Sequence, residues 1–150
     1  MDLQTALSQL EKHILEVLMQ FKPVARDVML QKPAPGKWSK QEILGHLIDS
    51  AVNNLKRFTD AQYFPQPYTV IRYNQDELVV INRYQQLPFE HLLQLWSILN
   101  KQVLYVAGSI PAEKLAYTII TTSGESKTLE WLVIDYVEHM EHHLKQIFGS

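Results

Sequence analysis

Three histidines near the end of the sequence have the residue type and spacing that metal binding requires. His139, His142 and His143 lie in the segment EHMEHH, within an apolar pattern typical of a helix. Residues four apart on a helix lie one above the other, so His139 and His143 share a face. His142 is turned about 100° away from His143 and is therefore a poor further ligand. The spacing predicts two ligands of a transition-metal site, since imidazole is a preferred ligand for such ions.

His46 is the histidine best placed to complete this site from another helix. It lies beside an earlier apolar stripe, one residue from Leu47 and three from Ile43, and should point toward the bundle or its mouth. Three protein ligands with an open position are the usual form of a catalytic zinc site. A divalent ion held this way, most simply zinc or nickel, would activate a water or a thiol, or polarise a carbonyl.

Interpretations without a metal remain open from spacing alone. A histidine beside an apolar stripe is commonly a packed residue with a hydrogen-bond partner. Histidine near a helix C-terminus is also favoured by the helix dipole, which supplies a structural reason for the cluster. His13 and His91, by contrast, stand alone on helix surfaces, where we expect ordinary solvent contact.

Polar residues that follow His46 on its helix are candidates for a pocket above the metal. Ser50, Asn53 and Arg57 follow it by four, seven and eleven residues, so they lie near the same face. Asn53 could orient a water or a substrate, and Arg57 could bind a carboxylate. The equally weighted alternative is a polar edge that faces solvent.

Two carboxylates are candidates for hydrogen bonds to the predicted ligands. Glu42 and Asp135 precede His46 and His139 by about one turn, within plausible reach of the second ring nitrogen of each histidine. The alternatives are a capping role for Glu42 and solvent exposure for Asp135. No carboxylate in the sequence can be assigned as a general base.

The elements that must position these residues are predicted by helical periodicity and by end signals. Apolar stripes and their breaks predict long helices over residues 3–21, 39–58, 88–107 and 128–148. Ser39 with Glu42 forms a capping box at the second helix, and Gly149 ends the last one. Between them we expect a short helix from Asn74 through Tyr84, and an irregular stretch or small hairpin over residues 110–127. Four long helices with long crossover connections predict an all-α four-helix bundle.

Composition limits the fold and the possible partners. The chain has 150 residues, 46% of them hydrophobic, which suits one domain over residues 1–150. A net charge of -2 and no basic run argue against nucleic acid and against a membrane surface. The absence of cysteine excludes disulfides and sulfur-based zinc sites. The start, MDLQ, lacks a signal peptide pattern, so we expect a cytoplasmic protein that acts on a small-molecule substrate.

Two longer segments resemble the DinB/YfiT-like superfamily. The run PGKWSKQEILGHLIDS, residues 35–50, resembles its second-helix signature, and YVEHMEHHLKQI, residues 136–147, resembles its fourth-helix signature. The run RYNQDEL, residues 72–78, is similar to the less specific segment between them. This resemblance implies a four-helix bundle, commonly a homodimer, with a divalent metal on His46, His139 and His143.

The same resemblance implies two chemistries and leaves a third role open. Some members resemble metal-dependent hydrolases, which predicts a hydrolase that uses the metal to activate water. Others are transferases that activate a low-molecular-weight thiol, such as bacillithiol, and such a thiol would then be a cosubstrate. A noncatalytic metal or small-molecule binding protein is the remaining alternative, because fold alone does not determine function.

Overall fold

The four predicted stripes form the four long helices of the molecule. The computed structural model describes residues 1–149 of the chain. Its helices are α1 (Leu3–Phe21), α2 (Arg26–Leu30), α3 (Lys40–Asp60), α4 (Gln75–Ile81), α5 (Phe89–Gly108), α6 (Ala112–Leu115) and α7 (Leu129–Phe148). The long helices pack as a ring in which α1 and α3 each contact both α5 and α7. This confirms the predicted all-α four-helix bundle and makes α3 and α7, which carry the three candidate ligands, direct neighbours.

The ends of α3 and α7 are capped by the residues that the sequence indicates. The Ser39 hydroxyl accepts from the Glu42 backbone N–H, while the Glu42 carboxylate accepts from the Ser39 N–H at 3.0 Å. Thr128 caps α7 by accepting from the backbone N–H of Trp131. These bonds satisfy amide groups that a helix start leaves unpaired, so they define where α3 and α7 begin.

The connection between α3 and α5 differs in part from its prediction. A short helix does follow Asn74, which caps it, but α4 ends at Ile81 and not at Tyr84. The chain turns at Arg83, whose φ of 57° is not helical. Tyr84 then packs against α3, where its hydroxyl donates to Asp49 at 2.5 Å. This tertiary contact explains the early end of the helix.

A small sheet pairs a strand from the connection between α3 and α5 with two strands from the connection between α5 and α7. Strand β1 (Tyr68–Thr69) pairs in parallel with β2 (Thr118–Ile120), and β2 pairs antiparallel with β3 (Ser126–Thr128). The β2–β3 hairpin, one of the two predicted outcomes for this stretch, turns through Gly124 at a φ of 87°. β3 leads directly into α7, so the sheet joins the connection between α3 and α5 to the helix that carries His139 and His143.

The outer surface carries several large apolar side chains on α1 and α5. Leu15, Met19, Ile98 and Tyr105 are each at least 61% exposed. Exposed apolar side chains of this kind are typical of a subunit interface, and the homodimer stays a prediction. Among residues 1–149, no helix combines the length and the apolar character needed to cross a membrane.

Candidate metal centre

Three imidazoles converge where α3 faces α7. The Nε2 atoms of His46 and His139 lie 3.4 Å apart, and those of His139 and His143 lie 3.1 Å apart. One ring nitrogen from each of the three histidines lies within 4.8 Å of the other two. The structure thus brings together the three residues that spacing on two separate helices had selected.

His142 lies outside this cluster. Its side chain is exposed, and its ring lies edge-on to that of His143, with centroids 5.3 Å apart, but its Nε2 lies 3.4 Å from the side-chain nitrogen of Gln146 and does not join the three converging nitrogens. Helical rotation separates it from His143, as the sequence predicts. The adjacent histidines are therefore different in environment, and His142 is a natural control for His143.

The three clustered imidazoles are held in their neutral form. Burial, with smaller contributions from His143 and His139, lowers the pKa of His46 to about 3. Burial, with His143 and His142 nearby, lowers the pKa of His139 to about 4. Burial also lowers the pKa of His143. Neutral imidazole is the form that donates an electron pair to a metal, so the site is prepared for ligation at neutral pH.

Gln146 holds the outer nitrogen of His143. The Nδ1 of His143 lies 2.8 Å from the Gln146 side-chain oxygen, which can only accept. Nδ1 therefore carries the proton, and the Nε2 lone pair faces the other two histidines. Gln146 is not among the residues predicted from the sequence, although its position one helical turn after His143 places it within reach of that ring.

The Trp38 ring packs on His46, and the Tyr84 ring packs on the residue before it, Gly45. The Trp38 ring centroid lies 4.9 Å from that of His46, so the residue before the helix cap packs on a candidate ligand. On Gly45, the residue before His46, an added Cβ would lie 2.2 Å from the Tyr84 ring. Only glycine fits this approach, and it lets the turn after α4 pack against α3 beside His46.

A cleft of about 410 Å³ opens beside His143. Trp38, Ile43 and Gln146 line it, and Lys37 and Asp76 contribute a charge of each sign. The cleft gives the histidine cluster an open side that a small molecule could approach. An open side of this kind is typical of a catalytic metal site, in which protein residues supply only some of the ligands of the ion.

Within residues 1–149, none of the five polar residues predicted around the site lines the cleft beside His143 or hydrogen-bonds to one of the three histidines. The Glu42 carboxylate is taken up by the Ser39 cap and by Lys32 at 3.1 Å, so it does not bond to His46. Asp135 is exposed and makes no hydrogen bond to His139. Glu42 does not bond to His46 because its carboxylate caps α3. Asp135 does not bond to His139 because its side chain faces solvent.

Ser50, Asn53 and Arg57 also lie away from the cleft beside His143. Ser50 is buried, and its hydroxyl accepts from Asn54 at 3.3 Å. Asn53 donates to the Asp49 carbonyl, and both Asn53 and Arg57 line a separate cleft of about 600 Å³. They share the face of His46, as predicted, but eleven residues of helix carry Arg57 about 16 Å along the axis.

His13 differs from its predicted solvent contact. Its Nε2 lies 3.0 Å from a carboxylate oxygen of Glu141. The pair joins α1 to α7 at a half-buried position. His91 is exposed on α5, as expected.

The residues present fit a divalent metal ion. A tetrahedral ion with bonds of about 2.1 Å separates its nitrogen ligands by about 3.4 Å, close to the two shorter separations seen here. Within residues 1–149 the cluster contains no carboxylate or thiolate, so its donors are three neutral imidazoles. This donor set suits zinc, nickel, copper or iron.

The chain is similar to known proteins in sequence and in fold. A family model described as the DinB superfamily matches residues 9–147. A protein of Halalkalibacterium halodurans, provisionally named a metal-dependent hydrolase, is 27% identical over 110 residues. That alignment covers 73% of this chain and 63% of the relative, so the chain spans less than two thirds of the relative's length.

Two solved structures share the fold. One is YfiT from Bacillus subtilis, described as a probable metal-dependent hydrolase with an unusual four-helix bundle topology. It superposes with a TM-score of 0.86 at 17% identity, over 97% of this chain and 83% of YfiT. The other is a mycothiol-dependent maleylpyruvate isomerase, with a TM-score of 0.73 at 13% identity, over 100% of this chain and 62% of that one.

Proposed function

The chain belongs to the DinB superfamily, and from that premise we propose that it is a metal-dependent hydrolase of a small-molecule substrate. The observation that carries the proposal is the convergence of three neutral imidazoles beside an open cleft. A provisional hydrolase name on a relative of 27% identity supports the same chemistry. Zinc and nickel are the ions we propose for the site, because both accept imidazole ligands.

The residues of the site would have three roles: binding the ion, orienting a histidine and contacting the substrate. His46, His139 and His143 would hold the ion, which when bound lowers the pKa of a coordinated water to about 7 or polarises a substrate carbonyl. Gln146 keeps the Nε2 of His143 unprotonated and directed inward. Trp38 packs on His46 and, with Ile43, provides the apolar wall of the cleft, while Lys37 and Asp76 offer charged contacts to substrate.

Thiol transfer is the second candidate, supported by the shared fold of the mycothiol-dependent isomerase. The same three histidines would serve, with a low-molecular-weight thiol as cosubstrate. The cleft beside His143 is open and large enough for a small cosubstrate. The two candidates differ in the nucleophile, and this difference is directly testable.

A reconstitution assay separates these functions. The protein is stripped with a chelator, reloaded with zinc or nickel, and incubated with activated esters and amides, and separately with an alkylating electrophile plus a small thiol. Hydrolysis predicts metal-dependent product release in water alone, whereas thiol transfer predicts turnover only when the thiol is present. Turnover should be lost in His143→Ala and kept in His142→Ala. Bound metal without turnover in either arm would favour a noncatalytic binding role.

A further inference from the structure

Arg57 is a half-buried cation without a carboxylate partner. Among residues 1–149, no acidic side chain lies within 4.0 Å of it, whereas its neighbour Lys56 pairs with Asp60 at 2.8 Å. Burial lowers the pKa of the Arg57 guanidinium below its ordinary value. Enclosing a charge without an opposite charge is costly, and such an arrangement is common where a ligand supplies the missing charge.

The Arg57 guanidinium is also held in place. One terminal nitrogen donates to the Ile71 carbonyl at 2.7 Å, and the other lies 3.4 Å from the Asn54 side-chain oxygen. The guanidinium carbon lies 5.4 Å from the centroid of the Tyr73 ring. A guanidinium has five N–H donors, so these contacts fix its plane and leave donors for an oxyanion.

Arg57 and a second arginine face the same cleft. Arg57, Arg72 and Tyr73 line a cavity of about 770 Å³, and the same three residues border the cleft of about 600 Å³. Arg72, too, has no carboxylate within 4.0 Å in the described part of the chain. Asp76 contributes one negative charge to the larger cavity, so the arginines leave it with an excess of positive charge.

This arginine cavity adjoins the cleft beside the histidine cluster. Gln75 and Asp76, the first residues of α4, line both the cavity of about 770 Å³ and the cleft that contains His143. Arg57 also follows His46 by three helical turns on the same face of α3, about 16 Å along the axis. A molecule that reaches from one site to the other must therefore be extended.

We propose that Arg57 and Arg72 form an oxyanion subsite that binds a carboxylate or phosphate group of the substrate, remote from the bond that reacts beside His143. This inference rests on the proposed function, because it names a chemical class for the substrate of that site. Binding energy from such a remote group positions the reacting part of the substrate. The substrate class is an extended, anionic small molecule.

Binding of simple anions tests the subsite without knowledge of the substrate. Succinate and inorganic phosphate are titrated separately into the protein by calorimetry, with metal content measured in every sample. We expect saturable binding of at least one anion, about tenfold or more weaker in Arg57→Gln and in Arg72→Gln, as loss of a charged hydrogen-bond donor implies. The exposed Arg83, which lines neither cavity, gives the control Arg83→Gln with unchanged binding.

The two anions distinguish a carboxylate from a phosphate subsite. Arg72 is exposed, so Arg72→Gln keeps the test valid even where Arg57→Gln fails to fold. Absence of saturable binding for both anions, or equal binding by wild type and Arg72→Gln, would overturn the subsite. Full metal content in the same samples would leave the metal proposal intact, whereas protein that stays metal-free after loading with zinc or nickel and still binds anions through the arginines would overturn only the metal proposal.

Discussion

The Nδ1 atom of His143 lies 2.8 Å from the side-chain oxygen of Gln146, one turn further along α7. This contact favours the tautomer of His143 that is protonated on Nδ1, because an amide oxygen only accepts. It also restricts rotation of the ring that lies at the edge of the cleft. Gln146 therefore acts on the candidate metal site through His143 and is a positioning residue.

Replacing Gln146 should weaken metal binding without removing a ligand. We expect Gln146→Leu to raise the zinc dissociation constant about 10- to 100-fold, as loss of an outer hydrogen bond to a ligand typically does. Gln146→Glu keeps an acceptor for Nδ1 and should retain most of the affinity. Competition with a chromophoric chelator measures both constants, and equal affinity in the two variants would contradict the role given to the acceptor.

Acid should destabilise the metal-free protein through His46. Its pKa is about 3 when folded and about 6.5 when unfolded, so below pH 6.5 the unfolded chain binds a proton that the folded chain does not. The free energy of unfolding should therefore fall as the pH falls from about 6.5 toward 3. His46→Gln lacks this titration, and wild type should lose about 2 kcal/mol more than the variant between pH 8 and pH 5.

Urea unfolding in the presence of a chelator measures this difference at each pH. The comparison with His46→Gln removes the titration of the other acidic and basic groups, which both proteins share. Parallel stability curves for the two proteins would show that His46 is not held neutral by the fold.

Gly45 should tolerate no side chain. A Cβ there would lie 2.2 Å from the Tyr84 ring, which cannot withdraw easily because its hydroxyl is bonded to Asp49. We expect Gly45→Ala to lower the free energy of unfolding by about 1–3 kcal/mol, as overpacking typically does. Gly108→Ala is a matched control, since nothing lies within 4 Å of its added Cβ. Denaturant unfolding should show Gly108→Ala as neutral or slightly stabilised.

The sequence predicts most of the fold because its signals are local. Helical stripes and caps such as Ser39 depend on residues within a turn or two, so the bounds of the long helices follow from them. The pairing of His139 with His143 follows from the same short-range geometry. Longer-range hydrogen-bond partners do not, because they depend on how the elements pack in the folded chain. Lys32 pairs with Glu42 from the loop before α3, and Tyr84 leaves the predicted helix for a contact with Asp49.

Binding of a metal ion by His46, His139 and His143 is tested most directly by metal analysis of protein purified without a histidine tag. We predict about one zinc or nickel ion per chain after loading, with a higher melting temperature, because an ion that binds only the folded state stabilises it. His142→Ala should keep the ion and His143→Ala should lose it. A metal-free protein whose melting temperature does not respond to either ion, or equal loss in both variants, would contradict the metal site.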